Sequence, residues 1–114
     1  MEIPEALNSK IQDLQTIERS LQNISMEKQS LQVELNQIDN ALMEIEKAKG
    51  DVFKILNGIM VKSDRDTLKK ELSEKKKILD LRVNSVEKQE APLDSRADKL
   101  REEINSALTD KNKG

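Results

Sequence analysis

From Leu7 onwards, apolar residues in the first half of the chain return every seven positions. Leu7, Leu14, Leu21, Leu35 and Leu42 share one register, interrupted by Lys28. Ile17, Ile24, Leu31, Ile38 and Ile45 fall three residues later, with Ile3 in phase and Lys10 as the exception. The residues between are Gln, Glu, Asn, Ser and Lys. Such a pattern is the a/d seam of a coiled coil, sustained over about six repeats. Pro4 suits the first position of a helix, and Gly50 stands where a C-terminal cap is wanted. The first arm is therefore predicted over residues 4–49, roughly 65–70 Å of helix.

The second half repeats the pattern less cleanly. Leu72, Leu79, Val86, Leu93, Leu100 and Ala107 are spaced by seven, while the companion positions are Lys69, Lys76, Val83, Glu90, Ala97 and Ile104. Ser63 and Asp66 in "SDRD" match a capping box. A second helix is predicted over 64–110, followed by a flexible tail at 111–114. Pro92 falls inside it and removes one backbone donor, which predicts a kink or an interruption. Two arms of nearly equal length joined by a short connector predict an antiparallel pair.

The connector, residues 51–63, breaks the helical pattern. Asn57-Gly58 is a type I′ turn signal, because both positions need a positive φ. "VFKIL" and "IMVK" on either side are rich in β-branched and apolar residues. A two-residue loop sets Leu56 against Ile59 and Ile55 against Met60. One face then carries Val52, Lys54, Leu56, Ile59 and Val61, and the other Phe53, Ile55, Met60 and Lys62. A lone hairpin is marginal in water, and this one would show apolar residues on both faces and two open edges. Assembly with other chains is the expected remedy, with Val52, Phe53, Ile55, Leu56, Ile59, Met60 and Val61 as its surface. The simpler alternative folds the hairpin against its own helices.

Composition narrows the choice. Charged residues make up 37 % of the 114 and aromatics 1 %, a single Phe53, so no thick core can form. The net charge of −2 gives no attraction to nucleic acid or to an anionic membrane. Cysteine and histidine are absent, which removes disulfides, thiolate metal sites and His- or Cys-based catalysis. No apolar run nears a membrane span, and "MEIPEALNSK" lacks the order of a signal peptide. A soluble, cytoplasmic protein without cofactor is expected. Paired carboxylates such as Glu102-Glu103 lie on exposed helix, and no phosphate-binding glycine loop occurs, so enzyme activity is not expected. The basic run "EKKK", Glu74 to Lys77, reads as a solvated face, with docking of an acidic partner as the other reading.

Helix, apolar hairpin and helix in this order resemble the β-type subunit of prefoldin, most closely the archaeal form. The stretch "VFKILNGIMVKSDRDTLKKELSEKKKILDLRVNSVEKQE", Val52 to Glu90, carries the likeness, which extends over essentially the whole chain. Asn57-Gly58 stands where the family often has Gly-Pro, and Pro92 is not a family feature. The resemblance implies a mainly α fold, a long antiparallel two-helix coiled coil whose central β-hairpin assembles with other subunits into a β-barrel. It implies an ATP-independent chaperone in which two α-type and four β-type subunits form a hexamer. The coiled-coil tips of such a hexamer hold non-native proteins and deliver them to a group II chaperonin. Carried onto this chain, client contacts fall on Ile3, Leu7, Ile11, Leu14, Leu100, Ile104, Ala107 and Leu108. Ile11 and Leu108 lie outside the seam and are expected to be the more exposed. Seam packing is the competing role for the others. The rival reading of the chain as a whole is a structural coiled-coil adaptor, which would need neither a two-faced hairpin nor apolar tips.

Overall fold

Two long helices and one hairpin make up the computed structural model, which describes residues 4–113, with side chains described over 4–109. Helix α1 spans Glu5–Lys47, strands β1 and β2 span Val52–Leu56 and Ile59–Ser63, and helix α2 spans Arg65–Lys113. Two units result. Unit 1 comprises Met1–Lys28 with Ser85–Gly114, and unit 2 comprises Gln29–Asn84.

Heptad spacing explains what each helix buries. In unit 1, Leu7, Ile17, Ile24, Val86, Ala97, Leu100 and Ile104 are buried, and in unit 2 Leu31, Leu35, Ile38, Ile45 and Leu79. Every one belongs to the two seven-residue registers read from the sequence. A cluster of Ile17, Ala97 and Leu100, flanked by Leu14, Leu21 and Leu93, forms a continuous patch of core in unit 1. Val86 is fully enclosed, which contributes about 1.5–3 kcal/mol by apolar burial. Among the described residues, each unit has two helix segments that meet along a single seam with no second layer, so the other faces stay wet.

Cross-helix ion pairs give the direction. In unit 1, Lys10 meets Glu103, Glu18 meets Arg101 and Lys28 meets Glu90. In unit 2, Asp39 meets Lys76 and Glu46 meets Lys69. Within each unit the partner's number falls as the residue number on α1 rises. The helices are antiparallel in both.

Four details differ from the expectation, each for a local reason. The Pro4 carbonyl accepts from the Asn8 N–H at 2.9 Å, so Pro4 precedes the first helical residue rather than occupying it. The cap of α2 is Asp64 and not Ser63, which remains in β2. The Asp64 carboxylate accepts from the Thr67 N–H and hydroxyl, both at 3.0 Å, while its carbonyl accepts from Leu68. Helix α1 does not end on a left-handed Gly50; among the described glycines, positive φ is confined to Gly58. Instead its last turn tightens, with the Ala48 N–H shared between the Glu44 and Ile45 carbonyls, and the Arg65 guanidinium donates to the Ala48 and Gly50 carbonyls. A side chain from the start of α2 thus satisfies carbonyls that the end of α1 leaves open. Finally, α2 runs to Lys113, past the expected end near Asp110; its passage through Pro92 is uninterrupted, in keeping with the heptad phase that continues from Leu93 to Leu100. Pro92 lies on an exposed side, where water can satisfy the carbonyl it leaves without a donor.

Candidate functional site

The hairpin forms as its turn residues require. Asn57 and Gly58 have φ of 50° and 80°, the left-handed pair of a type I′ turn. Strand register is Val52↔Ser63, Phe53↔Lys62, Lys54↔Val61, Ile55↔Met60 and Leu56↔Ile59. Val52, Lys54 and Ser63 on one face are half-buried, and Lys54 pairs with Glu71 at 3.4 Å. Past this base the apolar residues point into water. Phe53, Ile55, Leu56, Ile59, Met60 and Val61 are between 38 and 71 % exposed and are spread over both faces.

No third strand adjoins the hairpin among the described residues, so both outer edges carry unpaired backbone groups. An open recess of about 480 Å³ lies beneath it, lined chiefly by Ala41, Ile45, Ala48, Phe53, Leu68 and Leu72. Val52 lines it too, and is the one residue of the expected assembly surface that is half-buried. The local helices cover part of the base and nothing more. The alternative in which the hairpin folds wholly against its own helices does not describe this chain.

The residues expected to contact clients are brought together in unit 1, with Ile3 outside the described residues. Leu7, Ile11 and Leu14 come from α1, and Leu100, Ile104, Ala107 and Leu108 from α2. The Lys10–Glu103 pair, at 3.3 Å, bridges the two segments. Leu7, Leu100 and Ile104 are buried, Ile11, Leu14 and Ala107 half-buried, and Leu108 exposed. Ile11 thus falls in the same half-buried range as Leu14, whereas Leu108 is exposed.

Charged seam positions carry a pattern that sequence reading missed. Each lysine in the registers, Lys10, Lys28, Lys69 and Lys76, meets a carboxylate of the opposite helix. The signal was present, since the same registers contain Glu90, but choosing partners requires knowing the offset between helices. The Lys28–Glu90 hydrogen bond, 3.0 Å long, raises the Lys28 pKa above the ordinary lysine value. A hydrogen bond of 2.6 Å to Asp39 does the same for Lys76. The hydrogen bond from Lys69 holds the Glu46 carboxyl below its usual range.

Comparison with known proteins places this architecture. The model of the prefoldin subunit family matches residues 8–111. The chain belongs to the prefoldin family. Its relatives include the prefoldin subunit beta of Methanococcus vannielii, 41 % identical over 58 residues, which are 51 % of each chain. Another is the prefoldin subunit beta of Sulfurisphaera tokodaii, 39 % identical over 57 residues, or 50 % of this chain and 46 % of that one. The chain spans about half the length of the curated relatives it matches. A crystal structure of the prefoldin beta subunit from Thermococcus strain KS-1 superposes with a TM-score of 0.84 at 33 % identity, covering 94 % of this chain and 96 % of that one. The likeness is to prefoldin β-type subunits from archaea, in sequence and in fold.

Among the described residues, no group of His, Cys, Asp and Glu is arranged to hold a metal ion, and no helix is long and apolar enough to cross a membrane.

Proposed function

We propose that this chain is a subunit of an ATP-independent prefoldin chaperone, a holdase that captures non-native proteins and passes them to a group II chaperonin in the cytoplasm. The observation that carries the reading is the hairpin in a chain of this family: six exposed apolar side chains on a two-stranded sheet with open edges. Strands from other subunits would pair those edges and bury both faces in a β-barrel. α-type prefoldin subunits and further copies of this chain supply them, in the two-α, four-β hexamer of the family. Clients are held in unit 1, at Leu7, Ile11, Leu14, Leu100, Ile104, Ala107 and Leu108. Several weak apolar sites on one assembly then act together by avidity. The reading assigns the chain no chemical reaction.

The test is aggregation of a chemically unfolded protein, followed by light scattering without ATP, in the presence of the complex with its α-type partner. Suppression is expected. Replacing Ile11 and Leu108 together with Ser should weaken it while leaving the mass of the assembly unchanged. If the intact complex suppresses nothing, the chain is a structural adaptor. If the double variant suppresses as well as the parent, clients are held elsewhere.

A further inference from the structure

The seam of unit 1 is interrupted among the residues assigned above to clients. Lys10 occupies a register position that Ile17 and Ile24 fill in the following heptads, and both isoleucines are buried. Its ammonium group instead reaches Glu103, 3.3 Å away, and the two side chains remain 43 and 35 % exposed. Around this pair Leu7, Leu100 and Ile104 are closed, at 5, 4 and 9 % exposure. A client reaches these three only when the two helix segments part.

We propose that Lys10 and Glu103 form a polar gate in the seam, and that its opening uncovers Leu7, Leu100 and Ile104 to a non-native chain. The inference rests on the holdase reading and adds how the site is controlled. An isoleucine at position 10 would bury apolar surface and close the seam, as at Ile17. A lysine there gives up that burial and receives an exposed ion pair, an interaction of small strength that salt screens. Opening is therefore cheap at this point of unit 1. The Lys28–Glu90 pair interrupts the same seam away from the client residues, at 3.0 Å, and serves as the internal control.

Four variants of the assembled complex test the gate. Lys10→Ile should slow amide hydrogen exchange over residues 6–14 and 100–108 by about tenfold or more, in line with one more buried aliphatic chain. The same variant should weaken suppression of aggregation. Lys28→Leu should leave suppression unchanged. Glu103→Lys places like charges together and should speed exchange over the same segments; adding Lys10→Glu should restore it.

Suppression that survives Lys10→Ile despite slowed exchange overturns the gate and leaves the holdase reading intact. Exchange that responds to neither Lys10→Ile nor Glu103→Lys also overturns it. A parent complex that suppresses nothing removes the function reading itself, and the gate with it.

Discussion

The helical seam and the hairpin meet the same requirement in opposite ways. In the seam, apolar residues at heptad spacing find partners within the chain: Val86 is fully enclosed, and lysines in the registers meet carboxylates across it. In the hairpin, alternation sends apolar residues to both faces, and six of them remain in water. A helix concentrates its apolar residues on one stripe that a single partner helix can cover. A two-stranded ribbon with two apolar faces would need a layer on each side and strands at both edges. The chain supplies the first partner and not the others, so the seam holds the subunit together and the hairpin awaits more chain.

The sharpest way to break this contrast is to put a charge in each region. Val86→Asp buries an unpaired carboxylate in the seam and should cost about 3–5 kcal/mol, read as loss of helical circular dichroism on heating. Ile55→Lys with Met60→Glu puts charges on an exposed hairpin face. It should abolish assembly in light scattering while helix content changes little, because the pair faces each other across the strands, is largely exposed and does not line the recess against the helices. If the hairpin variant unfolded the helices as well, the two regions would not be separable.

Smaller effects test how the hairpin is held to the helices. Asp64→Ala removes the acceptor of the Thr67 N–H and should lower stability by about 1 kcal/mol in urea unfolding. Gly58→Ala meets open space but must adopt a φ of +80°, so it should cost about 1 kcal/mol through the backbone alone.

The pH dependence should be slight and two-sided. Glu46 titrates below its ordinary value when folded, so its contribution is present above that value and lost as pH falls through the folded one. Lys28 and Lys76 titrate above theirs, so their contributions are present below the ordinary lysine value and lost as pH rises through the folded ones. Thermal melts of the parent and Glu46→Gln across the acid range should converge at the lowest pH. Parallel curves would show that the ionisation of Glu46 contributes nothing.

Much of this was legible in the sequence. Asn57-Gly58 specified the turn and hence the cross-strand register, because a two-residue type I′ loop leaves one way to pair its strands. Heptad spacing specified which faces close. The errors were at junctions. Ser63 and Asp64 are both good caps, and the choice fell to Asp64 because β2 extends through Ser63. Gly50 looked like a helix terminator, yet the carbonyls at the end of α1 are met by Arg65, which the hairpin returns to that spot. Of the client residues, spacing separated seam from flank but did not show Ile11 half-covered and Leu108 open.

By itself, then, the sequence determined two helices, their apolar stripes and the hairpin between them. These depend on local periodicity and on the φ preferences of single residues, which act wherever the chain goes. Only the tertiary structure decided that Lys28 meets Glu90, that Lys10 meets Glu103 and that Arg65 caps α1. A seven-residue repeat looks the same after a shift of one heptad, so it cannot fix which turn of one helix lies beside which turn of the other. That offset is set by the closed loop of the hairpin and by the pairs it brings within reach.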